Sequence, residues 1–177
     1  AMFTPTKPIG QLVAEAKQRI ENVTVDQLKA ELAGGGIQLL DIRDVRERQK
    51  LGWIPGSLHV PRGMLEFWLD PTSPYYSGKV DPEKRIVLYC AGGGRSVLAT
   101  DVLREMGFPR VANFETGFNS WKAAGLPIEG APADAPKEAT LPAVKVTGGA
   151  GANDYNADNA SSPKFTQPLV DTPQTIT

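Results

Sequence analysis

The amino-acid sequence predicts an α/β fold, a parallel sheet of about five strands with helices on both faces. Three observations lead there. Short, mostly apolar runs recur at residues 37–40, 86–89 and 111–114, each too short for a core helix and ended by Asp41, Cys90 and Glu115 respectively. Segments with apolar residues at helical spacing, such as 25–32 and 97–103, alternate with them. Strands joined through intervening helices run parallel and are covered on both faces, so they read as continuous apolar runs.

The chain has 177 residues, enough for one ordinary domain with length to spare. Its net charge of −1 offers no field for nucleic acid or a membrane surface, so neither is expected as a partner. No apolar run reaches the roughly 18 residues of a spanning helix, and the N-terminus lacks the pattern of a signal peptide. One cysteine and one histidine exclude an intrachain disulfide framework and argue against a structural zinc site, so no metal and no cofactor is expected. A free thiol suits a reducing compartment, which places the protein in the cytoplasm.

Residues 7–21 form the first predicted helix, with Ile9, Leu12, Val13, Ala16 and Ile20 at helical spacing and Pro8 in the first turn. This N-terminal extension, residues 1–22, is expected to pack on the outside of a domain spanning 23–130, the alternative being an apolar face offered to a partner. A short strand begins at Val23. Thr24 then caps a helix, with Gln27 as its capping-box partner and Val25, Leu28 and Leu32 facing inward. Gly34, Gly35 and Gly36 stop that helix.

The strand at 37–40 ends at Asp41, and a helix follows over 45–51. Asp41 is expected either to support the site by hydrogen bonding or ion pairing, through Arg43, or to cap that helix, a role for which Asp44 competes. After the turn at Pro55-Gly56, residues 57–60 form a short strand, and Arg62 lies just past its end. Arg62 can add positive charge for an anionic substrate or be a solvated surface arginine. A short helix over 64–69 precedes a polar, Pro- and Gly-rich surface loop at 70–84. The strand at 86–89, a helix over 95–105 stopped by Gly107, the strand at 111–114 and a helix over 118–124 complete the alternation. From Gly130 onward Pro, Ala, Gly, Ser, Asn and Thr dominate, and residues 131–177 are expected to be a disordered or extended tail.

The chemistry concentrates at Cys90-Ala91-Gly92-Gly93-Gly94-Arg95-Ser96. The only cysteine stands where a strand delivers a glycine loop to a helix N-terminus. The positive end of the helix dipole and its unpaired N–H groups favour the thiolate there, and Arg95 adds a fixed charge. Glycines without Cβ atoms let several N–H groups converge on one point. A buried inert cysteine would not account for three glycines and an arginine directly after it. The loop lacks the Lys-Ser/Thr ending of a phosphate-binding P-loop and the spacing of a dinucleotide fingerprint.

This segment resembles the active-site loop of the rhodanese family of sulfurtransferases, a six-residue loop that begins with the nucleophilic cysteine and often ends in Arg. Asp41-Ile-Arg43 with residues 52–61, Gly-Trp-Ile-Pro-Gly-Ser-Leu-His-Val-Pro, resembles the family's Asp-x-Arg and Gly-His-Ile-Pro-Gly-Ala-x-x-Ile-Pro segments. Gly117-Phe-Asn-Ser-Trp121 with Ala124-Gly-Leu-Pro127 resembles its closing Gly-Gly-x-x-x-Trp…Gly-x-Pro. Trp53 replaces the usual His and Phe118 a frequent Gly, departures that bear on local packing.

The resemblance implies a rhodanese-like fold and transfer of a sulfane sulfur from thiosulfate or a related donor, through a Cys90 persulfide held by residues 91–96. The acceptor would be cyanide or a thiol, small or carried by a protein. A cysteine phosphatase or arsenate reductase also uses a Cys–loop–Arg cradle, but with five intervening residues where this chain has four. A non-catalytic interaction module is the third reading, and it predicts loss of the cysteine. Residues 165–177 resemble the segment that begins the plug of TonB-dependent outer-membrane receptors, which would make the tail a fused segment.

Overall fold

A computed structural model of the protein describes residues 1–131. The expected tail at 131–177 lies, beyond Ala131, outside the described residues. Five strands, β1 (Glu21–Val23), β2 (Ile37–Asp41), β3 (Leu58–His59), β4 (Arg85–Tyr89) and β5 (Val111–Phe114), form one sheet in the order β1-β5-β4-β2-β3. Every strand pair is parallel. The strand carrying Cys90 at its end is therefore the central one, flanked by β5 and β2.

The helices are α1 (Ile9–Arg19), α2 (Val25–Gly34), α3 (Val45–Leu51), α4 (Leu65–Leu69), α5 (Gly94–Met106) and α6 (Gly117–Ala123), with a 3-10 turn at Arg62–Met64 leading into α4. Alternation along β4 sorts them into two layers, because successive side chains of a strand point to opposite faces. Ile86, Leu88 and Cys90 face a core built with Leu65 and Leu69 of α4 and Ala99 and Leu103 of α5. Val87 and Tyr89 face the other core, with Leu28 of α2 and Phe118 and Trp121 of α6. Both cores are sealed: Ile86, Val87, Leu88 and Tyr89 have no exposed surface.

Local chemistry sets most element ends as expected. The Thr24 hydroxyl accepts from Gln27 N–H while the Gln27 side chain accepts from Thr24 N–H. Gly35 and Gly36, at φ +71° and +84°, stop α2. The first helix is shorter than expected. It ends at Arg19, and Glu21 and Asn22 belong to β1, inside the segment assigned from the sequence to the N-terminal extension. It lies against α5, where Arg19 grips Asp101 through two hydrogen bonds of 3.1 and 2.7 Å, and it buries Ala16 while Ile9 stays 65% exposed.

Two other expectations need correction. The strand expected at 57–60 contains only Leu58 and His59. The polar loop at 70–84 is not wholly on the surface, since Val80 is buried beneath α4 with Leu65 and Leu69. Trp53, at a position where the sequence departs from the family pattern, makes a backbone bridge to Glu129, stacks under Arg48 with 4.5 Å from Cζ to its ring centroid, and lies against Gly130. No helix among the described residues is long and apolar enough to cross a membrane.

Candidate active site

Cys90 follows β4, at the carboxyl rim where open parallel sheets place their ligands. The residue is buried, and its Sγ accepts a hydrogen bond from Gly93 N–H at 3.1 Å. Ser96 Oγ stands 3.4 Å from the same sulfur and donates to Gly93 O at 3.1 Å. Gly93 is the residue before α5 and has φ +104°. That conformation turns the loop so that its N–H points back at Cys90, and a side chain there would collide with Glu115 O. Ala91 is half-buried, while Gly92, Gly94 and Arg95 are exposed. Of the loop singled out from the sequence, Gly93 N–H and Ser96 Oγ are the groups shown at the sulfur, which stands at the N-terminus of a 13-residue helix.

A turn far away in sequence supports this loop. Phe118 N–H donates to Cys90 O at 2.8 Å, and Asn119 N–H donates to Ala91 O at 3.0 Å. Gly117 has φ +70°, and a Cβ there would lie 2.5 Å from Ala91 O and 2.8 Å from Cys90 O. The start of α6 can press on the active loop only because residue 117 has no side chain. Gly117 was visible as part of the closing motif, but its role as the floor of the loop was not.

Arg95, expected to bias the loop toward negative charge, is already paired. Its Nη1 and Nη2 donate to Oε1 and Oε2 of Glu47 at 2.7 and 3.1 Å. These bonds, outweighing partial burial, raise the guanidinium further above its ordinary value, and the charges of Cys90 and Asp41 act in the same direction. Arg62 lies past β3 as expected, but its Nη1 donates to Glu66 one turn on at 2.6 Å. Neither carboxylate belongs to a motif that the sequence marks.

Asp41 and Arg43 form a pair with no exposed surface on either side chain. Asp41 does not cap α3; Asp44 does, accepting from Arg46 N–H at 2.8 Å. Asp41 instead accepts from Arg43 N–H, Nε and Nη2, from Arg48 Nη1 and from the Tyr89 hydroxyl, at 2.7 to 3.0 Å. Burial alone would raise its carboxyl, but the hydrogen bonds and charge of Arg43, with Arg48, hold it below the usual range. Among the described residues none of these bonds reaches the loop itself. Asp41 reaches the site through Tyr89, the residue before Cys90, whose hydroxyl also pairs with Ser57 Oγ at 3.0 Å and accepts from Ile54 N–H. Burial, then the charge of Asp41, push the Tyr89 phenol far up, so it is a neutral donor.

Arg43 completes this foundation by donating to Gly52 O at 2.7 Å, with its guanidinium 4.1 Å from the Phe118 ring centroid. Its Nη1 is buried without a hydrogen-bond partner among the described residues. The ring covering the guanidinium supplies the cation–π contact that compensates in part. Phe118 stacks on Tyr89 as well. The departure from Gly at 118 therefore adds an aromatic lid over the buried ion pair. No group of three or more His, Cys, Asp or Glu side chains among the described residues could hold a metal ion. A groove of about 440 Å³, lined by Pro71, Pro82, Met106 and Phe108 among others, opens near the start of β4, at the opposite rim from Cys90.

Residues 24–124 match the family model of the rhodanese-like domain. The human thiosulfate:glutathione sulfurtransferase is 30% identical over 105 residues, covering 56% of this chain and 90% of that protein. Among solved structures, a protein of unknown function from Rhodopseudomonas palustris CGA009, described as a possible tyrosine phosphatase, is 42% identical. It superposes with a TM-score of 0.66 over 73% of this chain and 99% of its own. The polysulfide-sulfur transferase homodimer of Wolinella succinogenes is 32% identical with a TM-score of 0.56, over 66% of this chain and 83% of its own.

Proposed function

The chain belongs to the rhodanese-like domain family, and from that premise we propose that it is a sulfurtransferase with Cys90 as its nucleophile. One observation carries the reading: a buried sulfur held by Gly93 N–H at 3.1 Å, within a glycine loop that opens a long helix. The names of two relatives, a thiosulfate:glutathione sulfurtransferase and a polysulfide-sulfur transferase, point to a sulfane donor and a thiol acceptor. In the first half-reaction the Cys90 thiolate attacks the outer sulfur of thiosulfate. An S–S bond forms to Cys90, the S–S bond of the donor breaks, and its electron pair leaves with sulfite. In the second half-reaction a nucleophile, cyanide in an assay or a thiol in a cell, attacks the outer sulfur and returns the thiolate.

This is covalent catalysis that divides one transfer into two displacements. Both displacements are sulfur-to-sulfur or sulfur-to-carbon transfers, so no general base is required once the thiolate is formed. The loop N–H groups would hold the anionic persulfide, as converging donors do where charge develops. Tyr89 and Asp41 would act behind the loop, fixing the end of β4. A free nucleophilic thiol works in a reducing compartment, and the cytoplasm is the location this reading assigns.

The phosphatase description of the R. palustris relative keeps a second reading in play. Four residues separate Cys90 from Arg95, one fewer than phosphatase loops have, which suits a single sulfur better than a tetrahedral oxyanion. Incubation with thiosulfate should add one sulfur atom to the intact mass of the wild type and none to Cys90→Ser, while an aryl phosphate is left intact. Hydrolysis of the phosphate with no sulfur gained would overturn the sulfurtransferase reading.

A further inference from the structure

We propose that Glu47 sets donor preference at this site. By occupying both terminal nitrogens of Arg95 it competes with dianionic donors such as thiosulfate, and it discriminates less against donors of lower charge, such as alkyl persulfides. The inference rests on the sulfurtransferase reading and deepens it.

Its basis is geometric. Arg95 ends the loop, and its end-on fork is filled by a carboxylate from a different helix, at 2.7 and 3.1 Å. A bidentate carboxylate uses the guanidinium much as the sulfonate of thiosulfate would. Glu47 sits in the first turn of α3, where the helix dipole favours its negative charge and holds it in place. Its side chain is 29% exposed against 44% for Arg95, so the carboxylate is the more enclosed partner and the guanidinium the more accessible one. Arg62, the other arginine marked from the sequence for an anionic substrate, is paired through one terminal nitrogen with Glu66, four residues on. Both charges that could draw in a dianion are thus already met by carboxylates.

A dianionic donor must displace Glu47 from Arg95 or bind beside a negative charge. An alkyl persulfide faces a smaller penalty. In that case Cys90 attacks the outer sulfur, the S–S bond of the donor breaks, the alkyl thiolate leaves with the electron pair, and the proton stays on the transferred sulfur. Glu47 touches neither reacting sulfur. It is a positioning residue that acts through Arg95.

The test uses the full chain, thiosulfate and an alkyl persulfide as donors, and cyanide as acceptor. Glu47→Gln should lower KM for thiosulfate about tenfold at low ionic strength and only about threefold near 0.5 M salt, because the competition is electrostatic and screened. Its kcat should change less than about twofold, as expected when ground-state and transition-state binding shift together, and KM for the alkyl persulfide should hardly move. Glu47→Asp, which keeps the charge but shortens its reach, should shift KM in the same direction and serves if Glu47→Gln folds poorly. In an Arg95→Gln background the effect of Glu47→Gln should vanish, the signature of two residues acting as one unit.

An unchanged or raised KM for thiosulfate in both Glu47 variants would overturn the proposal, as would a fall of equal size in the Arg95→Gln background. Intact mass separates the two levels of inference. If the wild type gains no sulfur from either donor, the sulfurtransferase reading fails and the proposal with it. If it gains sulfur and the Glu47 variants keep the wild-type KM, only the proposal falls.

Discussion

Gly117→Ala should damage the active loop from a position 27 residues away in sequence. Two costs add. An alanine at φ +70° occupies the left-handed region, and its Cβ would stand 2.5 Å from Ala91 O, 2.7 Å from Ala91 C and 2.8 Å from Cys90 O. Relief requires the start of α6 and the loop to part, which strains the bonds from Phe118 and Asn119 N–H to Cys90 O and Ala91 O. Left-handed strain of about 1–2 kcal/mol and two backbone hydrogen bonds of about 0.5–1.5 kcal/mol each give a loss of about 2–5 kcal/mol. The functional loss should be larger than stability alone conveys, because a displacement on the order of 1 Å at a reacting group costs about a hundredfold in rate. Gly125→Ala is the matched control: φ is +73°, and among the described residues nothing lies within 4 Å of the added Cβ. It should cost only about 1–2 kcal/mol and leave turnover unchanged. Urea unfolding midpoints and thiosulfate–cyanide turnover of the two variants decide the matter. If Gly117→Ala is no worse than Gly125→Ala on both measures, α6 does not brace the loop as argued.

Two further predictions concern charges behind the site. Asp41→Asn leaves the buried Arg43 without its main counter-charge and should cost about 3–5 kcal/mol by urea unfolding, the usual penalty for breaking a buried pair. Because the folded-state carboxyl of Asp41 is held below its ordinary value, the unfolded chain takes up that proton first. The stabilisation is complete above pH about 4 and is lost as pH falls through the folded value, a slope that Asp41→Asn should flatten. His59 is lowered chiefly by burial, against the bond of its Nε2 to Arg43 O at 2.7 Å. Here too the unfolded chain binds the proton more tightly, so stability should decline as pH falls below about 6.5. His59→Gln should remove that part of the decline, and an unchanged pH profile of the midpoint would refute it.

How much of this was legible in the sequence depends on distance along the chain. Cys90 to Ser96 carry a thiol, its glycines and a helix start within seven consecutive residues, so local chemistry alone marks the candidate site. The alternation of strands and helices revealed the parallel sheet, because βαβ units write both periods into one stretch. Asp41 could not be resolved between support and capping, since both follow from a strand end before a helix; only packing shows that Asp44 takes the cap and Asp41 turns inward. Arg43 is legible as a partner of Asp41, but its complete burial is not, and nothing short of the fold brings Phe118 over it. Tyr89 is the aromatic end of an apolar strand run, and its hydroxyl, which ties Asp41, Ser57 and Ile54 together, leaves no mark in the pattern. Glu47 lies 48 residues from Arg95. A helix-surface glutamate carries no sign of its partner.

The sheet order has a consequence for how the protein opens. Strands at the edges of a sheet exchange their amide hydrogens through small, local excursions, whereas central strands exchange only when most of the domain comes apart. β1 and β3 are the edges here, three and two residues long, and β4 lies in the middle with both neighbours bonded along it. Cys90, the proposed nucleophile, is thus attached to the last part of the domain to open. Fraying at the rims leaves the backbone under Cys90 in place. A mutation that merely lowers global stability should reduce the amount of folded enzyme while leaving the site of each folded molecule intact.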